Sequence, residues 1–398
     1  MKLKVISKDV RYSFSVTLTS EYFIPFNQTR PYNSTLIQEF SRLELKRGMF
    51  SGKYNAKVRK LVRDYSGMQE VLLTPSCTAA LELALIMACV MPGDEVVMPA
   101  WNFPSSALPV VNFGAKPVFV DVDRTNLSLD VNKALEAVTE KTKAIVWTNY
   151  GGSPPIGFQA LQTIKQFANL ILIEDNAHGF GVSVNGLKLG SIGDFSVQSY
   201  HETKNVQCGE GGSIAIKDGK KIERALIVSE KGTNRSQFLR GEVGKYEWVD
   251  RGGSFLLAEP LALVLLTEIE RLSEIQEQRR LVYQKYSVEL EDWFKRFDCE
   301  MPAICEFREI SAHLFYILCP TETFRGKFSD YLRKRGIEAF FHYQELASSV
   351  PGKKYGETRG STSVSKIASE RLLRLPLWEM SEDQCGYVID SIKAYKGR

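Results

Sequence analysis

Short apolar runs alternate with longer segments of helical periodicity through the first half of the chain. Residues 71–73, 95–98, 117–121, 144–147 and 170–173 have strand length, and 79–87, 105–112, 131–139 and 157–169 have helix length. Strands that are apolar on both faces and alternate with helices predict a parallel sheet covered on both sides. Ligands of such sheets sit at the carboxyl ends of the strands. That rule singles out 74–78, Trp101, 149–152 and 175–178.

Beyond the sheet, the amphipathic run 259–293 predicts one or two long helices. A smaller α/β region follows, with strands expected at 313–318 and 339–342. Residues 1–22 are expected to form an extension outside the core, with a short strand at 12–16. The pattern therefore divides the chain into an extension, 1–22, a large α/β domain, 23–262, and a small C-terminal α/β domain, 263–398. The loop Arg-Gly-Met-Phe-Ser-Gly-Lys at 47–53 is open to two readings, a solvated turn or a grip for a diphosphate.

Composition narrows the function classes. The 398 residues carry 51 Lys and Arg against 47 Asp and Glu, a net charge of +4 with both signs mixed along the chain. No basic tract marks a nucleic-acid partner. The seven cysteines are scattered without a Cys-x-x-Cys pair, which argues for a reducing compartment and against a structural metal. The N-terminus lacks the continuous apolar core of a signal peptide, and no uncharged apolar run is long enough to span a bilayer. The expectation is a cytoplasmic protein with no membrane partner.

Candidate chemistry centres on Ser-Tyr-His-Glu-Thr-Lys-Asn, residues 199–205, which runs on into Cys-Gly-Glu-Gly-Gly at 208–212. Lys204 follows a strand-like run and precedes a glycine cluster, where backbone or a ligand can come close. An amine with an ordinary pKa near 10.4 needs desolvation or a neighbouring cation to act as nucleophile or base at neutral pH. Pyridoxal phosphate makes four demands on a protein. They are a lysine for its aldehyde, a carboxylate for its pyridinium nitrogen, a phosphate cradle and a flat side chain against the ring. Lys204 and Asp175 suit the first two. The small hydroxyl residues of Thr-Pro-Ser-Cys-Thr at 74–78 are N-caps or a phosphate cradle, and Trp101 is a core residue or a ring partner.

Long strings carry a resemblance: LLTPSCT at 72–78, HETKN at 201–205, GEGG at 209–212, EKGTNRSQ at 230–237 and ERLLRLPL at 370–377. By these the chain resembles the DegT family of nucleotide-sugar aminotransferases. The resemblance implies an α/β protein of PLP fold type I, aspartate-aminotransferase-like, with a large mostly parallel sheet domain. It implies a homodimer with the active site at the interface, pyridoxal 5′-phosphate as cofactor, and glutamate/2-oxoglutarate and a dTDP-sugar as substrates. Carried over by position, Lys204 is the lysine joined to the cofactor and the base that moves the proton. Asp175 partners the pyridinium nitrogen, His178 meets the ring hydroxyl and Trp101 stacks on the ring. Cys77, Thr78 and Ser199 cradle the phosphate, Cys77 through its backbone N–H. Ser254 stands where relatives place an asparagine reaching the phosphate of the second subunit.

The chain departs from the family at Asn149, at 154–158 and at 344–346, which are expected to bear on the choice of sugar. Two rival readings are an aminotransferase for a 3-oxo sugar and a non-catalytic binding protein on the same fold. Lys204 argues against the related dehydratases, which carry histidine at that position.

Overall fold

The computed structural model describes residues 23–28, 34–41, 52–301 and 310–397. The expected strand at 12–16 and most of the 47–53 loop lie outside them. The strands in chain order are β1 (Glu70–Thr74), β2 (Glu95–Pro99), β3 (Lys116–Val120), β4 (Thr142–Thr148), β5 (Ile171–Asp175), β6 (Ser183–Val184), β7 (Leu187–Lys188), β8 (Phe195–Ser199), β9 (Gly212–Ile216), β10 (Phe315–Leu318), β11 (Glu357–Thr358) and β12 (Leu372–Leu375).

Eight of them form one sheet in the order β1-β9-β8-β5-β4-β2-β3-β11. Every neighbouring pair is parallel except those made by β9, which runs antiparallel to β1 and β8. Strands β2, β8 and β9 are buried at every position, as expected of strands covered on both faces. The helix Cys77–Met87 buries seven side chains, and with β2, β8 and β9 it builds the main core. Chain order reverses between β2 and β4, which opens a crevice at the carboxyl ends of the strands.

The second core forms around the antiparallel pair β10–β12 and the helices Leu272–Glu289, Glu322–Lys334 and Glu382–Lys393. Its centre is aromatic, with the Trp293 and Phe328 rings 4.9 Å apart. Two expectations for this half need correction. The partner of β10 is β12, and 339–342 makes a single bridge, Phe340 to Arg374, because the chain there turns away to deliver His342 and Tyr343 to the crevice. The run 259–293 is three helices, Glu259–Glu270, Leu272–Glu289 and Glu291–Arg296. The breaks at Arg271 and Leu290 have φ near −100° and ψ near 0°. No glycine or proline marks either break, so the pattern does not reveal them.

A segment before the first helix ties the two halves together. Ile24 pairs with Ile337, and the Trp378 indole donates to the Pro25 carbonyl at 3.1 Å. Asn27 Nδ2 donates to the Glu202 carbonyl at 2.7 Å, next to the lysine turn.

Candidate active site

The strand ends converge on one point. Thr148 is in register with Asp175 across β4 and β5, and Gly212 lies between Thr74 and Ser199. A cavity of about 570 Å³ opens there, lined by Cys77, Thr78, Phe103, Asp175, His178, Ser199 and Lys204 on the sheet side. His313, His342, Tyr343 and Arg374, from the C-terminal part of the chain, line its other side.

Lys204 sits in a tight turn in which its N–H donates to the His201 carbonyl at 2.9 Å. The turn is pinned from the other half of the molecule, where Asn205 Nδ2 donates to the Ser311 carbonyl at 2.7 Å. Burial, with the Arg374 charge, lowers the Lys204 amine from 10.5 to about 8, against the pull of Cys77 and Asp175. About a tenth of the amine is therefore neutral at pH 7, against less than about a thousandth for an unperturbed lysine, and the neutral form is what a base or nucleophile requires.

Asp175 accepts from the Ala177 N–H at 3.1 Å and from the Thr148 hydroxyl at 3.1 Å. Thr148 in turn accepts from Asn102 Nδ2 at 2.6 Å, so the carboxylate is oriented through a relay. Burial raises its pKa, opposed by the Ala177 N–H, the Lys204 charge and the Thr148 hydroxyl. His178 Nδ1 accepts from the Gly151 N–H at 3.3 Å. Burial and the nearby Lys204 and Arg374 charges hold its pKa well below the usual imidazole value. The neutral ring thus carries its proton on Nε2, which donates to the Tyr343 oxygen at 3.4 Å. Burial and the neighbouring Asp175 push the Cys77 thiol well up, so it offers no thiolate.

Two expected residues are placed elsewhere. Trp101 does not line the cavity. Its side chain is 2% exposed, its indole donates to the Tyr343 carbonyl at 2.7 Å, and it packs 4.8 Å from Tyr150. Of its two readings, the packed one is what the fold provides, because a buried indole N–H needs an acceptor and Tyr343 supplies one. Phe103, two residues on and 54% exposed, faces the cavity instead. Ser254 is exposed, bridges Glu230 and does not line the cavity of its own chain.

The expected sugar-side residues need correction too. Asn149 is buried away from the cavity, donating to Glu174 at 2.7 Å and to Asn176 at 2.8 Å. Residues 154–158 and 344–346 are likewise absent from the lining.

Residues 33–393 match the DegT/DnrJ/EryC1/StrS aminotransferase family. This chain belongs to that family. It is 30% identical over 268 residues to the spore coat polysaccharide biosynthesis protein SpsC of Bacillus subtilis, covering 65% of this chain and 69% of that one. It is 28% identical to a pleiotropic regulatory protein of Geobacillus stearothermophilus, covering 86% and 90%. A proposed sugar aminotransferase of Streptococcus pneumoniae, solved in PLP and PMP forms, superposes with a TM-score of 0.83 at 25% identity, covering 94% and 97%. The fold of this aminotransferase is therefore fold type I.

The residues present fit pyridoxal 5′-phosphate. The helix Cys77–Met87 aims its N-terminus into the cavity. Ser76 caps the Ala79 N–H at 3.1 Å, while the N–H groups of Cys77 and Thr78 find no acceptor among the described residues. Gly212 makes this possible, since a methyl there would overlap the backbone of Ser76 and Cys77. A helix N-terminus, a carboxylate, an aromatic ring and an amine of lowered pKa thus share one cavity.

The two aromatics separate by mutation. Phe103→Ala is expected to weaken cofactor retention about tenfold, the scale of one aromatic stacking contact. Trp101→Ala is expected to destabilise the fold by about 3–5 kcal/mol through the cavity it leaves. Cofactor titration and denaturant unfolding measure the two, and the reverse pattern would restore Trp101 as the ring partner.

Proposed function

We propose that this aminotransferase moves an amino group from glutamate to a nucleotide-linked oxo-deoxysugar. The acceptor is dTDP-4-oxo-6-deoxyglucose and the product a dTDP-4-amino-4,6-dideoxyhexose for surface polysaccharide. The observation that carries the reading is the meeting of Lys204, Asp175 and the N-terminus of the helix Cys77–Met87 in one cavity. For the sugar, the support is the set of shared strings, which resemble those of the transaminase that makes dTDP-4-amino-4,6-dideoxygalactose for enterobacterial common antigen. The printed role of the Bacillus relative, polysaccharide biosynthesis, agrees.

Pyridoxal 5′-phosphate is the cofactor and supplies an electron sink for the carbon that gives or receives the amino group. The chain's own groups do the rest. The N–H groups of Cys77 and Thr78, with the Ser199 hydroxyl, would hold the phosphate. Asp175, fixed by Ala177 and Thr148, would keep a proton on the ring nitrogen, and His178 would donate from Nε2 to the ring oxygen. Phe103 would supply the aromatic partner of the ring. Lys204 Nζ takes a proton from the glutamate α carbon and delivers one to the sugar carbon that receives the amine.

The working unit in this reading is a cytoplasmic homodimer with the active site at the interface. Ser254 belongs to the site of the second chain. Its segment also carries Leu239, Trp248 and Val249, which are 62%, 80% and 52% exposed, an apolar surface of the kind a partner covers.

Incubation with glutamate and a panel of dTDP- and UDP-oxosugars, followed by NMR of the products, tests the assignment. The expected result is amination of dTDP-4-oxo-6-deoxyglucose at least about 100-fold more efficiently than the 3-oxo isomer. Amination of 3-oxo sugars alone would overturn the choice of acceptor.

A further inference from the structure

Among the described residues, Cys299 and Cys319 are two free thiols that the fold sets side by side. Glu300 and Leu318 exchange both backbone hydrogen bonds, the Glu300 N–H donating to the Leu318 carbonyl at 3.0 Å and the Leu318 N–H to the Glu300 carbonyl at 2.8 Å. In an antiparallel ladder, the residues one step beyond such a pair face each other without hydrogen bonds, with Cα atoms about 4.5 Å apart and side chains on one face. Here that step sets Cys299 opposite Cys319, and the two thiols are in hydrogen-bond contact. Disulfides span Cα separations of about 4.4–6.8 Å, so this register brings the pair within bonding range. Nothing in the sequence marks it, since twenty positions separate the two cysteines.

The two thiols differ in access. Cys299 lies between the exposed residues Asp298 and Glu300 and is 9% exposed, whereas Cys319 is fully buried. The Cys299 thiol beside it, and its own burial, push the Cys319 thiol well up, against the pull of the Arg325 and Arg371 charges. Cys319 is therefore protonated in the reduced chain. Once Cys299 is capped, the first of those causes is gone, and the two arginines favour the Cys319 thiolate.

We propose that Cys299 and Cys319 are a thiol oxidation site, which closes to a reversible disulfide by exchange with small disulfides of the glutathione class. Cys299 loses its proton, and its sulfur attacks one sulfur of the oxidant. The oxidant's S–S bond breaks, and one thiol leaves carrying a proton. The Cys319 sulfur then loses its proton, attacks the Cys299 sulfur of the mixed disulfide and expels the second thiol. Two protein thiols become one disulfide, and one small disulfide becomes two thiols. The link fastens a seam between the two halves of the molecule. Glu300 Oε1 accepts from Arg124 Nη2, in the stretch after β3, at 2.9 Å, and lies 3.7 Å from Arg371 Nη2. Arg371 ends the helix Ser363–Arg371, and its Nε donates to the Cys319 carbonyl. Neither cysteine lines the cavity, so the disulfide adds stability and leaves the active site open.

Equilibration of the full chain in glutathione redox buffers, followed by trapping of free thiols with N-ethylmaleimide and peptide mapping by mass spectrometry, tests the proposal. The expected result is a Cys299–Cys319 cross-linked peptide that dithiothreitol reverses, with a thermal unfolding midpoint about 4 °C above that of the reduced chain. Cys319→Ala is expected to stop at the mixed disulfide, with one glutathione held on Cys299, and Cys299→Ala to leave Cys319 unmodified. Both variants should lose the rise in midpoint. A cross-link from Cys299 to Cys305, which lies outside the described residues, would overturn the pair. So would wild-type protein whose Cys299 and Cys319 both remain open to alkylation after incubation with glutathione disulfide alone and unfolding. The wild-type peptide map needs no substitution, so it decides the matter even where an alanine variant fails to fold.

Discussion

Lys204→Ala is expected to lower turnover by about 10⁴-fold or more, since one residue serves both to hold the cofactor and to move the proton. The variant should still take up pyridoxal phosphate weakly, because the N–H groups of Cys77 and Thr78 remain, but borohydride should no longer fix it to the protein. The wild-type chain offers a sharper check through pH. Capture of the cofactor by the apoenzyme requires a neutral amine, and the Lys204 pKa is about 8. The capture rate should therefore rise with pH through about 8 and level off above it, where an unperturbed lysine would keep rising toward about 10.4. A rate still climbing well above that range, or an alanine variant with wild-type turnover, would remove Lys204 from the centre of the site.

The second large effect is expected at Asp175. Asparagine preserves the shape of the side chain: its Oδ1 can still accept from the Ala177 N–H, while its Nδ2 takes the place of the second oxygen and donates to the Thr148 hydroxyl, so the fold and most cofactor binding should survive. It cannot stabilise a proton on the ring nitrogen. Turnover should fall by about 10²–10³-fold, the scale of losing one preorganised electrostatic group, while the cofactor remains bound. Thr148→Val, which removes the relay from Asn102 but leaves the carboxylate, should give a smaller loss in the same direction. Unchanged turnover in the asparagine variant would show that Asp175 faces something other than the ring nitrogen.

Much of this site can be read locally. Strands end where an apolar run stops, and a helix start with Ser76 as cap needs only the residues next to it. Hence 74–78, Asp175, His178 and Ser199 fall at strand ends, and the structure brings them together. Other features depend on distant partners. Gly212–Ile216 starts within the glycine cluster, and it is the antiparallel strand between β1 and β8 because both of those edges need hydrogen-bond partners. Arg374 had a signal that could have been used, since a lone charge inside the apolar run Leu-Leu-Arg-Leu requires either a partner or a function.

Alternation of apolar runs with helices, the glycine-flanked Lys204 and the carboxylate at the end of a strand belong to the sequence by itself, because each depends on neighbours within a few residues. Which aromatic faces the cavity was decided by tertiary structure. Trp101 and Phe103 are two residues apart and chemically alike, and the choice turned on a carbonyl 242 residues further along the chain, that of Tyr343, which took the indole N–H and left Phe103 to the open side. The same segment carries His342 and Tyr343 to the Arg374 guanidinium, which pairs with no carboxylate among the described residues. Only the packing of the second half onto the first could bring that charge to the wall of the cavity that Lys204 also lines.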